Sequence, residues 1–242
     1  MFVAVLLLLW LDFTVGQVYQ RHHWAHNNSM NHLLWLLKSA THVAELATGW
    51  EDKSGKNRTI FFSQGNIYDV EDEVLFYMKV ARRPGIETIC ETGFNAGHSA
   101  ITFLFANPRA TYIGFDLGDM QWSSASVGYV KAVFGDRFIY HKGKSVNTLN
   151  PEHMGGRRCD LLSVDANHHE SYTDFKLGKE VSRANAYILA DDFSSDCPLV
   201  PRDWGRAVNE GWIRTLEAHK DAFKIQDDEG GYWKGWVLGQ YT

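Results

Sequence analysis

The sequence predicts a single α/β domain with a mainly parallel seven-stranded sheet and helices on both faces. Four short apolar runs are each followed directly by an acidic residue, and the first of them turns through two glycines into a helix. This order is typical of doubly wound sheets. The final segment, FKIQDDEGGYWKGWVLGQY, predicts a closing antiparallel hairpin with its turn near Asp228 to Gly231. A chain of 242 residues with 45% hydrophobic content can bury a full core as one domain.

The N-terminus predicts entry into the secretory pathway. The ten residues from Phe2 to Leu11 are apolar, which is too short to span a hydrocarbon core about 30 Å thick but suits the apolar region of a signal peptide. Thr14 and Gly16 are small enough to precede a cut. We therefore predict a cleaved signal peptide over residues 1–16 and a secreted or ER/Golgi lumenal protein, with no membrane span after cleavage. The alternative is a retained N-terminal anchor.

Glycosylation patterns and cysteines bear on the same compartment. Asn27 and Asn57 each begin an Asn-x-Ser/Thr triplet, the acceptor pattern for N-linked glycans. Cys90 and Cys159 fall in predicted buried strands and are expected to be core thiols, whereas Cys197 falls in a loop. The three cysteines imply no disulfide scaffold.

Helical segments surround the predicted strands. Residues 17–66 are predicted to form an N-terminal extension, with a helix from Met30 to Ala47 because its apolar residues recur at helical spacing. Residues 67–242 form the main domain, and a second helix from Asp69 to Arg82 leads to its first strand. A further helix, from Trp204 to Lys220, is expected before the last two strands.

The segment TICETGFNAGHSA, from Thr88 to Ala100, predicts a cradle for a nucleotide-type cofactor. Gly93 would allow a sharp turn after the strand, and Gly97 would allow a ligand to approach the start of the next helix, where backbone N–H groups are free. Asp116 ends the second strand, 25 residues after Glu91. An acid in this position accepts hydrogen bonds from ribose hydroxyls in doubly wound folds. Packing alone also produces such glycine-rich turns.

A group of acids and a histidine follows two later strands. Asp165 and His168 follow the strand Cys159 to Val164, and Asp191 and Asp192 follow the strand Ala186 to Ala190. The carboxyl ends of parallel strands open onto one crevice, so these side chains should converge. Their like charges would repel unless a cation or protons neutralise them, and hard oxygen ligands suit Mg²⁺. Helix capping by the aspartates and a packing role for His168 remain alternatives.

The order of these motifs, ETGFNAG, FDLGD, CDLLSVDANH and YILADDF, resembles the class I S-adenosylmethionine-dependent methyltransferases, which have a Rossmann-like fold. It is most similar to the metal-dependent O-methyltransferases, such as the macrocin and catechol O-methyltransferases. The resemblance covers Ile67 to Tyr241. It implies that His168 is the general base and that Asp165, Asp191 and Asp192 bind a divalent metal. It also implies that the cofactor-binding residues are Glu91, Thr92, Gly93, Asn95, Gly97, Asp116, Ser145 and Asp165.

The function that the resemblance implies is methyl transfer from S-adenosylmethionine to a hydroxyl of a small molecule, assisted by a divalent cation such as Mg²⁺. The net charge of −5 gives no reason to expect nucleic acid or anionic lipid as a partner. One alternative is a secreted binding protein that keeps the fold without catalysis. A nicotinamide oxidoreductase is disfavoured because its turn would read Gly-x-Gly-x-x-Gly, whereas here three residues separate the two glycines. The oligomeric state is not predicted.

Overall fold

The structure is a computed structural model that describes residues 28–48, 67, 70–225 and 231–242. The predicted signal peptide and both predicted glycosylation sites, Asn27 and Asn57, lie outside the described residues. Of the helices within these ranges, none combines the length and the apolar character needed to cross a bilayer.

The centre of the molecule is a seven-stranded sheet with the order β3-β2-β1-β4-β5-β7-β6. Strands β1 to β5 pair with one another in parallel, and β7 runs antiparallel to both β5 and β6. The predicted mainly parallel sheet and its closing hairpin are therefore confirmed. The strands are β1 (Thr88–Thr92), β2 (Thr111–Asp116), β3 (Phe138–Lys142), β4 (Cys159–Val164), β5 (Ser182–Ala190), β6 (Ile213–Ile225) and β7 (Tyr232–Tyr241).

Helices cover both faces of this sheet because alternate residues of the buried strands point in opposite directions. Ile89 and Leu161 contribute to one core and Cys90 and Leu162 to the other. The helices are α1 (Asn28–Thr48), α2 (Glu71–Ala81), α3 (His98–Ala106), α4 (Ser123–Phe134), α5 (Ser145–Thr148), α6 (Ser171–Val181) and α7 (Leu199–Asn209), with short 3-10 turns at Gly135–Arg137 and His168–Glu170. The first four contribute to the first core, and α6 and α7 contribute to the second.

The helix predicted from Trp204 to Lys220 is wrong in its second half. Helix α7 ends at Asn209, and Gly211 has a φ of 78°, a left-handed conformation that terminates helices. From Ile213 onward the chain pairs with β7 instead. Pairing with a neighbouring strand, which local periodicity cannot reveal, decides the state of these residues.

The expectation that Cys90 and Cys159 are unpaired core thiols is also wrong. A disulfide joins them across 69 residues of sequence, with a Cα–Cα distance of 5.7 Å. The sheet order places β1 beside β4, and this adjacency brings the two sulfurs together. Cys197 is a free, half-buried thiol.

Candidate active site

The carboxyl ends of β1, β4 and β5 lie side by side and form the edge at which the predicted site residues meet. The amide of Asp165 donates to the carbonyl of Thr92 at 2.9 Å, and the amide of Asp191 donates to the carbonyl of Val164 at 3.1 Å. These bonds align the first residue after each strand. Carboxylate oxygens of Asp165, Asp191 and Asp192 lie within 4.8 Å of one another.

A lysine ammonium lies among these acids. Nζ of Lys234, in β7, donates to Oδ2 of Asp191 at 2.8 Å and to Oδ1 of Asp192 at 3.0 Å. Lys234 is 2% exposed and Asp191 is 3% exposed, so the pair is buried. Because β7 runs antiparallel to β5, its first residues lie beside the end of β5, which brings Lys234 to the site.

Burial and like charge raise the pKa values of the surrounding carboxyls. The pKa of Asp165 is raised well above its ordinary value by burial and then by Asp191. Glu73, a buried residue of α2, has its pKa raised for the same two reasons. Burial lowers the pKa of Lys234, but Asp191 and Glu73 outweigh this effect and the net shift is upward. Lys234 forms ion pairs with both Asp191 and Asp192, and its charge offsets part of the negative charge of the cluster.

The predicted divalent cation can be tested against this donor set. Three carboxylates have the right chemistry for a hard cation. One oxygen of Asp191, Oδ2, and one of Asp192, Oδ1, already accept hydrogen bonds from Lys234. A divalent ion about 4 Å from the ammonium would be repelled by about 8 kcal/mol at an effective dielectric constant of about 20. The residues present therefore do not fit a resident divalent cation.

His168 forms an ion pair with the same acidic group. Its Nε2 lies 2.8 Å from Oδ2 of Asp192. The pKa of His168 is raised to about 10, first by this hydrogen bond and then by one with Cys197. Burial raises the pKa of Asp192, but Lys234 and His168 lower it by more than burial raises it, so the net shift is downward. His168 is thus an imidazolium at neutral pH, and it can accept a proton only after losing one.

The glycine-rich loop after β1 has the predicted conformation. Gly93 has a φ of 89°, and a Cβ there would lie 1.9 Å from the carbonyl oxygen of Asp165. Gly97 has a φ of 86°, and a Cβ there would lie 2.7 Å from the ring of Phe94. Contacts within the protein exclude a side chain at both positions, which agrees with the sharp turn predicted at Gly93, and the approach of a ligand at Gly97 remains a prediction.

Glu91 lies beneath this loop and is fully buried. Its Oε2 accepts hydrogen bonds from the hydroxyl of Ser99 at 2.7 Å and from the hydroxyl of Tyr112, while its Oε1 is buried without a hydrogen-bond partner. Burial raises the pKa of Glu91 to about 7, although the hydroxyl donors lower it.

Asp116 holds the loop in place. Its Oδ2 accepts from the amides of Phe94 at 2.9 Å and Asn95 at 3.1 Å, and its Oδ1 accepts from the amide of Gly118 at 2.6 Å. Asn95 has a φ of 49°, and its side-chain oxygen accepts from the indole of Trp122. The contact of Asp116 with a ribose remains a prediction.

The predicted cofactor residues fall into two groups by exposure. Glu91, Thr92, Gly97 and Ser145 are buried, whereas Gly93, Asn95, Asp116 and Asp165 are partly exposed and form the open rim. Ser145 and Thr92 both act to lower the pKa of the buried carboxyl of Asp174, which burial nevertheless raises to about 6. The structure therefore directs Ser145 toward α6, and its contact with an adenine ring remains a prediction.

Sequence reasoning missed Lys234 and Glu73. Lys234 alternates with Trp236 and Leu238, which are both buried on the same side of β7, so the period-two pattern carried a signal for a buried lysine. Glu73 lies one turn before Tyr77 on the buried side of α2, which is the equivalent helical signal. Neither pattern identifies the partner of the charged group, because that partner is supplied by another strand.

Comparison with known proteins places this geometry in context. Residues 90–193 match the family model described as a methyltransferase domain. Among curated protein sequences, none gives a significant match.

Solved structures share the fold at low identity. A cofactor-bound protein from MTB is 16% identical with a TM-score of 0.63, covering 85% of this chain and 88% of that one. An O-methyltransferase from Bacillus cereus in complex with SAH is 13% identical with a TM-score of 0.61, at 86% and 91% coverage. The O-methyltransferase of tomaymycin synthesis from Streptomyces achromogenes, in complex with SAM, is 15% identical with a TM-score of 0.60, at 86% and 89% coverage. At these identities the likeness concerns the fold.

Proposed function

We propose that this protein transfers a methyl group from S-adenosylmethionine to a hydroxyl of a small molecule. The proposal starts from the class I methyltransferase fold and from the match of residues 90–193 to a methyltransferase domain. One observation carries the proposal. The matched range begins one residue before Glu91 and ends one residue after Asp192. It therefore contains the glycine-rich loop and all the acids that meet at the crevice, apart from Glu73.

The residues of the open rim fit the cofactor. Gly93 and Asn95 present backbone in left-handed conformations at the crevice, and Asp116 and Asp165 offer carboxylate oxygens beside it. When bound there, S-adenosylmethionine supplies a methyl group that its sulfonium has already activated. The protein then has to bind the cofactor, align the substrate oxygen with the methyl group and exclude water.

His168 is the residue positioned to handle the proton of the substrate hydroxyl. Its Nε2 is held by Asp192 and its ring also has a hydrogen bond with Cys197, so the proton would be accepted at the nitrogen that Asp192 does not hold. Acceptance requires the neutral imidazole, and the pKa of about 10 makes this form scarce at neutral pH. Asp192 then stabilises the imidazolium that forms.

The ion pair between His168 and Asp192 also favours the second candidate function, a binding protein that retains the fold without turnover, because this pairing stabilises the protonated imidazole. The two candidates differ in a measurable way. A binding protein would take up S-adenosylhomocysteine, the demethylated product, but would produce none of it from S-adenosylmethionine with any hydroxyl compound supplied.

We also propose that the protein acts in the secretory pathway on a small molecule, without nucleic acid as a partner. The disulfide between Cys90 and Cys159 supports an oxidising compartment. Mass spectrometry of material from the secretory pathway should find cleavage near Gly16 and glycans on Asn27 or Asn57. An intact Met1 on an unglycosylated cytosolic product would overturn this localisation.

Calorimetry with S-adenosylmethionine and S-adenosylhomocysteine tests the main proposal. Wild type should bind one equivalent of either ligand, and Asp116→Asn should weaken binding about 10-fold to 100-fold, because a charged acceptor is lost without change of size. Asp136→Asn, an exposed aspartate beyond α4, is the matched control and should bind like wild type. Wild type that binds neither ligand would refute the proposal.

A further inference from the structure

The ion pairs of Lys234 form the most unusual feature of the crevice. A lysine side chain is seldom fully buried unless it is paired, and that of Lys234 is 3% exposed. Two of its three N–H groups bind Asp191 and Asp192. These are the two acids that follow β5, and the resemblance assigned both to metal binding.

We infer that Lys234 takes the place of a divalent cation in this site, so that the protein holds its acids together without a metal ion. The ammonium donates to Oδ2 of Asp191 and to Oδ1 of Asp192, one oxygen of each of the two acids that follow β5. The inference concerns the site of the proposed function, and only its consequence for turnover rests on that proposal.

The backbone around Lys234 keeps the ammonium in this position. The neighbouring Gly235 is enclosed, because a Cβ there would lie 2.3 Å from the carbonyl oxygen of Phe193 and 2.5 Å from that of His219. The amide of Phe193 donates to the carbonyl of Gly235 at 2.7 Å. The strand that carries Lys234 is thus fixed against the segment after β5 on one side and against β6 on the other.

Lys234 is also the first member of a chain of contacts that reaches His168. Nζ of Lys234 binds Oδ1 of Asp192, and Oδ2 of the same carboxylate binds Nε2 of His168. Both oxygens of Asp192 are therefore committed to side chains of the protein. Lys234 is a positioning residue: it orients Asp192, which in turn orients His168, and it does not itself reach the open rim.

The experiment measures metal binding by the purified full chain after dialysis against a chelator, with Mn²⁺ as the probe in an EPR titration. Wild type should bind no Mn²⁺ at the acids up to millimolar concentration. Lys234→Met keeps most of the length of the side chain and removes its charge, and it should bind Mn²⁺ at least about tenfold more tightly than wild type because a like charge near the ion is lost. Adding Asp191→Asn to Lys234→Met should abolish the gain.

Lys224→Met is the matched control, since Lys224 is an exposed lysine of the neighbouring strand β6, and it should not gain a site. A wild-type site for Mn²⁺ that Asp191→Asn removes would overturn the inference, and so would a folded Lys234→Met protein that gains no binding. If Lys234→Met does not fold, the wild-type titration decides alone: absence of an Asp191-dependent site supports the inference and its presence refutes it.

Binding of S-adenosylhomocysteine in the presence of a chelator separates this inference from the proposed function. Metal-free binding and turnover that added Mg²⁺ leaves unchanged would support both. A protein that binds neither Mn²⁺ nor S-adenosylhomocysteine would refute the proposed function and leave the assignment of Lys234 intact. A Mg²⁺ requirement for turnover that Asp191→Asn removes would refute the inference alone.

Discussion

Nε2 of His168 lies 2.8 Å from Oδ2 of Asp192, and this contact controls when the histidine can accept a proton. Hydrogen bonding to Asp192 is the main reason that the pKa of His168 is raised to about 10. The neutral imidazole therefore becomes abundant only in alkaline solution. The rate of methyl transfer should rise with pH up to about 10. Asp192→Asn should shift this rise to lower pH, because it removes the carboxylate that stabilises the imidazolium.

Replacement of His168 should separate proton transfer from cofactor binding. His168→Gln should lower turnover about 10²-fold to 10⁴-fold, the usual contribution of a general base, while calorimetry should find S-adenosylhomocysteine binding unchanged. His169→Gln is the matched control, since His169 is the exposed next residue of the same 3-10 turn, and it should retain activity. Loss of turnover in His169→Gln but not in His168→Gln would show that His169, and not His168, is the base.

Replacement of glycine by alanine should change the stability of the protein differently at two positions. Gly93→Ala should destabilise the protein by at least about 1–3 kcal/mol, because the new Cβ meets the backbone of Asp165 and the φ is left-handed. Gly128 lies within α4, and a Cβ there would meet nothing within 4 Å. Gly128→Ala should therefore be neutral or stabilising. Chemical denaturation of both variants would test this, and equal stabilities would contradict the close approach of β1 and β4.

Much of the fold could be predicted from the sequence because its signals are local. The runs ending at Glu91, Asp116, Asp165 and Asp191 all became strands that end at the same edge of the sheet. The acids after β4 and β5 could therefore be placed together without coordinates. The strand that begins at Ile213 could not be predicted in the same way, because pairing with β7, and not local periodicity, determines the secondary structure there.

The site could be predicted only as far as the parallel strands supply it. Lys234 comes from an antiparallel strand whose register with β5 depends on the whole sheet. The disulfide between Cys90 and Cys159 likewise depends on which strands become neighbours, and the two cysteines are distant in sequence. The high pKa of His168 arises from Asp192 and Cys197, both on a segment that follows another strand. Contacts of this kind become visible only when the register is known.

Glu91 should make stability depend on pH. Its pKa in the folded protein, about 7, lies above the ordinary value of 4.5, so the folded state retains a proton that the unfolded chain releases. The contribution of Glu91 to the free energy of unfolding is greatest below pH 4.5 and falls as the pH rises toward about 7. The loss should be about 3 kcal/mol, an order-of-magnitude figure for a fully buried carboxyl.

Glu91→Gln should flatten that part of the pH profile, because an amide does not titrate. Denaturant titrations across the range would measure the effect. Glu152→Gln, an exposed glutamate between β3 and β4, should leave the profile as in wild type. A profile that is equally steep in Glu91→Gln and in wild type would show that Glu91 is not the group that titrates.

The disulfide should account for a large part of the stability of the sheet. The bond between Cys90 and Cys159 closes a long loop and joins two central strands, and loss of such a bond typically costs about 2–5 kcal/mol. A reductant should therefore lower the melting temperature of wild type.

Cys197→Ser removes the free thiol instead, and its response to reductant should match that of wild type. Thiol counting after denaturation without reductant should find only Cys197 reactive. Three reactive thiols in protein from an oxidising compartment would contradict the bond.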